Sequence, residues 1–295
     1  SHLRTSGADH PALFDVRLVD SEFTRSGIAL DTMGDVELRG VTVDSPEDSI
    51  DFWHTLGSVL IADSDLSFGD AEWGSSTGFI VQDSSILVTN GGIWVQGAVL
   101  ASDYGVMEPG GPITFTRSQI HLLDDDLTDG SPSGNLDLQN REAPITLENN
   151  TSIVVHGHVM LTTQDDGVGT GAIRVTNNDE LRVGVFTEDD PANHRVGDLR
   201  LTTNSSDPAV LLELANNQLA VNGAVELSSD GLRELQIIGN RGVIGDENTV
   251  GALRVAGTGR GPVAIAKNDL NVHNELALSL QNLNGGEFFF DENKL

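Results

Sequence analysis

Short apolar–polar alternations fill this chain, and a polar step interrupts them about every 25 residues. The step falls in VTN-GGIWV, LENN-TSIVV, VTNN-DELRV, LANN-QLAV, IIGN-RGVI, AKN-DLNV and DEN-KL, which puts it at Asn90, Asn150, Asn178, Asn216, Asn240, Asn268 and Asn293. Weaker versions fall at Ser21, Gly40, Ser64 and Ser118. A unit this short cannot bury its own apolar face, so the repeat predicts stacked rungs that share one core. Period-two alternation sends Leu199, Leu201, Val225, Leu227, Leu253, Val255, Leu276 and Leu278 inward. Spacings of 24, 28 and 25 residues between the last four asparagines leave room for three strands and three bends per rung.

The expected fold is therefore all-β: a parallel β-solenoid of about 11 rungs, each of three short strands, with an asparagine or other polar ladder at the tight second turn. Asparagine suits that turn because it tolerates a left-handed backbone and its stacked amides bond along the ladder. The repeat runs from about residue 12 to the end without a composition break, so one domain over 1–295 is expected, with 1–11 as an irregular leader or cap.

These rungs resemble the right-handed parallel β-helix superfamily, which includes pectate lyases, polygalacturonases, phage tailspikes and filamentous-haemagglutinin-like adhesins. GAIRVTNNDELRV and GDLRLTTNSS look most like rungs of the haemagglutinin-type surface proteins. The resemblance implies a right-handed coil, an extracellular or cell-surface location, and, in the enzymes, a substrate groove along the first strand of the middle rungs.

Charge narrows the partners. The formal net charge is −29, from 45 acidic and 16 basic residues, and Lys267 and Lys294 are the only lysines. Such a chain has no basic patch to displace counterions from phosphates, which argues against nucleic acid and anionic membranes. No apolar run has the length of a membrane span, so no membrane insertion is expected of this segment.

Candidate chemistry lies in the middle rungs. Long loops at 102–111, 123–134, 163–171 and 187–197 flank the first strand, and loops on a rigid scaffold commonly carry binding. The outward column of that strand is expected to read Leu100, Asp137, Met160, Arg200, Glu226 and Arg254, its last three residues forming a charge ladder. If the protein is an enzyme, a glycoside hydrolase would use Asp137, Asp165 and Asp166 as general acid and base, and a lyase would use Arg200 as base. The groove would run beside Asp137, Thr162 and Arg200. Trp53, Trp73 and Tyr104, near expected bends, are candidates for stacking on sugar faces, and Thr162 in the groove is a further ligand-binding candidate. No cofactor is required by any motif. Calcium is possible at Asp124, Asp126 and Asp129 before Gly130, together with Asp189, although the spacing misses the EF-hand order by one.

The function expected from all this is an adhesin-like or structural surface protein that binds glycans or other surface ligands through its middle-rung loops. A polysaccharide-active enzyme is the alternative. A segment of a longer chain or filament is a third possibility, suggested by the apolar run Phe288-Phe289-Phe290.

Overall fold

The computed structural model describes residues 2–5, 14–32, 34–53, 55, 57–75, 77–97, 111–123, 134–141, 143–165, 171–186, 196–205, 210–246, 251–259, 261–281 and 286–295. Residues 2–5, 31, 53, 75, 165, 205 and 210 are described by their backbone path alone. The described residues form 29 strands and no helix. The strands pair in parallel from one coil to the next, as a β-solenoid requires.

One coil shows the rule. Val159–Asp165, Ile173–Thr176 and Leu181–Val183 follow one another, then pair in turn with Leu199–Ser205, Val210–Ala215 and Gln218–Val221 of the next coil. Three sheets result, called first, second and third here in chain order within a coil. Three strands turn a corner while staying extended: Thr42–Trp53 and Asp65–Ser75 run from the third sheet into the first, and Ala224–Ile238 from the first into the second. The segment expected as an irregular leader or cap contributes a strand, His2–Thr5, that pairs with Gly27–Asp31.

The bend between the second and third sheets is the same two-residue device in all eleven coils. Its first residue has a left-handed backbone, with φ between 47° and 69° at Asp20, Gly40, Asp63, Asp83, Arg117, Asn149, Asn177, Asn216, Gly239, Lys267 and Glu292. From Ser64 onward the residue that follows forms the ladder, its side chain accepting the backbone N–H of the ladder position before it. That rule corrects the expected register at Asn216, which is the left-handed residue while Asn217 is the ladder residue. Gly40 is likewise the left-handed residue, and the buried Val41 follows it. Asn90 belongs to a different bend, its N–H donating to the Gly69 carbonyl, and Ser84 takes the ladder place instead.

Each ladder asparagine holds two coils together. The backbone N–H and Nδ2 of Asn178 both donate to Asn217 Oδ1, at 3.1 and 2.8 Å, and the same pair of bonds links Asn217 to Asn240 at 3.1 and 3.0 Å. The second Nδ2 hydrogen of Asn217 goes back to the Val175 carbonyl of the preceding coil at 2.8 Å. All three are buried, so satisfying these amides is obligatory. Towards the N-terminus serine replaces asparagine: Ser64 N–H donates to Ser84 Oγ and Ser84 N–H to Ser118 Oγ, each at 3.2 Å.

The core is the stack of inward columns. Leu136, Val159, Leu199, Val225 and Leu253 succeed one another in register, and all are fully buried. In the N-terminal coils this core turns aromatic. Phe52, Trp73, Phe79 and Phe115 stack at ring distances of 5.8, 5.1 and 6.1 Å. Each such contact adds to what area burial alone supplies.

Candidate functional site: a cleft on the first sheet

The outer face of the first sheet is a grid, with rungs about 4.8 Å apart and outward residues at every second position. One column reads Glu72, Trp94, Asp137, Met160, Arg200, Glu226 and Arg254. The expected Leu100 is replaced by Trp94, because the strand of that coil is Ile93–Gly97 and lies before the loop; Leu100 is outside the described residues. The neighbouring column reads Gln96, Gln139, Thr162, Thr202 and Ser228.

Residues just ahead of the strands fix where this grid begins. Asp70 Oδ1 accepts the N–H of Gly92, Asn135 Oδ1 that of His158, His158 Nδ1 that of Asp198, and Asp198 Oδ1 that of Ala224, at 3.3, 2.7, 3.0 and 2.8 Å. At the other end of the strands Asn140, Thr163, Thr203 and Ser229 form a buried polar column, with Thr203 Oγ1 donating to Ser229 Oγ at 2.7 Å. These polar pins hold the first sheet in register at both edges.

Between the pins lies a cleft of about 400 Å³. Trp94 and Met160 are its shoulders and Asp137 its floor, with Glu72, Gln139, Asp70 and Asn135 around it. Gly92 is part of the lining, and a side chain there would collide with the Asn135 carbonyl, so the edge stays open. No lysine, arginine or histidine lines the cleft among the described residues. Burial between its neighbours raises the Asp137 carboxyl above the usual carboxylate range. The Gln139 amide, 3.2 and 3.4 Å from its two oxygens, opposes that rise.

The other candidates distribute unevenly. Arg200 sits two rungs from Asp137 in the same column, but its guanidinium is committed to Asp198 at 2.7 Å and to Glu226 at 3.2 Å. Asp165 ends its strand opposite Ser205, five residues beyond Met160 and so about 16 Å along the strand from the level of Asp137. The backbone therefore does not bring these two aspartates together. Thr162 lies in the second outward column beside Gln139 and Thr202. The backbone of Trp53 pairs with Asp31 at the end of a strand of the first sheet. Trp73, expected at the surface, is a core residue: it is 1% exposed, and its indole N–H is spent on the Ile50 carbonyl at 2.7 Å. The physical reason is that the third sheet runs into the first without a break at Asp65–Ser75, which puts Trp73 in the inward phase. Asp166, Tyr104, Asp124, Asp126, Asp129 and Asp189 lie outside the described residues. Among the described residues no group of three metal-ligating side chains converges.

Sequence reasoning missed Trp94, Glu72 and Gln139. Trp94 is legible in principle, since Ile93 and Val95 on either side claim the inward positions.

A second polar constellation occupies the third sheet. Ser152 Oγ donates to Glu180 at 2.7 Å and lies 3.0 Å from His121 Nε2. In a hydrolytic triad the imidazole stands between hydroxyl and carboxylate, so that it can take the proton and be oriented. Here the serine stands between them, and the group is a hydrogen-bond chain across three coils.

Compared with known proteins, the chain matches no family model, no curated protein and no solved structure.

Proposed function

We propose that this protein is a glycan-binding β-solenoid of the surface-displayed kind, related in character to haemagglutinin-like β-helix proteins, and that it holds sugar over the Trp94 cleft. The observation that carries this reading is the partly exposed indole of Trp94 beside Asp137 and Gln139 in a cleft of about 400 Å³. An aromatic face takes the apolar side of a sugar ring, and adjacent acceptors and amides take its hydroxyls. The hydroxyl column Thr162, Thr202 and Ser228 continues the polar strip along the axis, so an extended glycan fits better than a single sugar. With a net charge of −29, polyanions and nucleic acid are poor partners, and an extracellular or cell-surface setting suits the reading. Titration of the full chain against a panel of neutral, basic and acidic oligosaccharides tests it. Binding that Trp94→Ala abolishes supports the reading, and silence across the panel ends it.

A second reading, cleavage of the bound glycan, is favoured by one observation. Asp137 is a carboxyl whose burial raises its pKa, which is what a general acid needs. Glu72 lies two rungs away in the same cleft, a backbone separation of roughly 9–10 Å, and offers a second carboxylate. Release of reducing ends that Asp137→Asn abolishes would establish it.

A further inference from the structure

We infer that the ligand of the Trp94 cleft carries a positive charge, and that the site recognises a glycan with free amino groups, of the glucosamine type, in preference to a neutral or N-acetylated one. This rests on the glycan-binding reading above and specifies its chemistry. The geometry selects for the cation through Asp137. Its carboxylate sits between the indole of Trp94 and the thioether of Met160, with the Gln139 amide as its partner. A neutral ligand closing over the cleft would take more water from that carboxylate and supply no counter-charge. An ammonium in the same place replaces the lost hydration with a charge-assisted hydrogen bond. The face of Trp94 adds cation–π attraction on the adjacent rung.

The rest of the face agrees. No basic side chain lines the cleft among the described residues, so nothing there competes for Asp137. Two rungs along, Arg200 is held by Asp198 and Glu226. The strongly negative chain concentrates cations at a concave acidic site, which raises the rate of encounter as well as the affinity.

The test uses the full chain and three oligomers of equal length: a β-linked glucosamine oligomer, its N-acetylated form, and a β-linked glucose oligomer. Binding is followed by calorimetry and by tryptophan fluorescence, at a pH where the amine is charged. The glucosamine oligomer should bind tighter than the other two by about tenfold or more, the scale of a hydrogen bond to a charged group. That preference should weaken with salt and disappear in Asp137→Asn. Trp94→Ala should weaken all three oligomers. Asp291→Asn, an exposed charge far along the solenoid, should leave the preference intact. Equal binding of the three, or an equal loss in Asp137→Asn and Asp291→Asn, overturns the inference while glycan binding stands. Binding of a tetraalkylammonium ion but of no oligomer keeps cation recognition and overturns the glycan reading. Binding of none of these overturns both.

Discussion

The two halves of this solenoid solve the same structural problem with different residues. In the C-terminal coils the ladder is asparagine, from Asn150 to Asn293, and each side-chain amide bonds directly to the next. In the N-terminal coils the ladder is Ser64, Ser84 and Ser118, whose hydroxyls accept one backbone N–H and return their own hydrogen to a carbonyl two residues back. Serine links coils through a single bond, and there the core supplies the stacked rings of Phe52, Trp73, Phe79 and Phe115. The outer face differs in parallel. Arg200, Glu226, Arg254 and Glu275 neutralise one another at 3.2, 2.8 and 3.1 Å, whereas the Trp94, Asp137 and Met160 stretch leaves a cleft. A solenoid thus varies its surface rung by rung without changing its backbone, because each coil answers only to its neighbours.

The largest expected effect breaks the N-terminal half. Trp73→Ala should lower unfolding free energy by about 3–5 kcal/mol, while Trp94→Ala on the surface should stay within about 0.5 kcal/mol. Urea unfolding of both variants decides it, and equal losses would mean that the ring stack is not what supports these coils. Next comes the ladder. Asn240→Ala orphans two donors of Asn217, which should cost about 1–3 kcal/mol. Ser84→Ala removes the acceptor of one donor and should cost less in the same assay. A larger loss from Ser84→Ala would reverse the contrast between the ladders.

Two aspartates should respond to pH in opposite directions. Asp137 has a raised folded pKa, so the folded chain holds a proton that the unfolded chain has released between the ordinary carboxylate pKa and the raised one. Stability from this group falls as pH rises through that window. Asp137→Asn should therefore raise the melting temperature at neutral pH, and the gain should vanish in acid. Asp35 is the opposite case. The backbone N–H of Ser58, and then its hydroxyl, hold its carboxyl below the usual range. Its contribution is present above the ordinary carboxylate pKa and is lost as pH falls through the lowered one, so Asp35→Asn should lower the melting temperature at neutral pH. Thermal melts across the acid range that gave both variants the same sign would refute the assignment. The smallest effect belongs to the surface charge ladder: Arg254→Ala should lower the melting temperature only slightly, and less as salt rises.

Much of this architecture is legible in the residue pattern alone. The Arg200, Glu226 and Arg254 column follows from period-two alternation, and the structure pairs those residues in that order. The asparagine ladder is legible except at Asn90, which belongs to another bend, and at Asn216–Asn217, where two adjacent asparagines serve different roles and composition cannot tell a left-handed residue from its inward neighbour. Asp137 is legible as an outward residue beside Met160. Its cleft is not, because the register of Trp94 depends on where a loop leaves the strand. Trp73 is misplaced by the pattern for a related reason: Gly69 and Gly74 read as bends, whereas the strand Asp65–Ser75 runs through both in extended conformation.

The coil follows from the residue pattern alone, since a period near 25 residues with alternating apolar positions has one way to bury its core, by stacking. The site comes from the folded coil. Glu72, Trp94 and Asp137 are separated by 22 and 43 residues in the chain and become neighbours when successive coils pair in register. Periodicity fixes which face a residue takes, but loop length sets which residue lies above which, and loop length carries no hydrophobic signal.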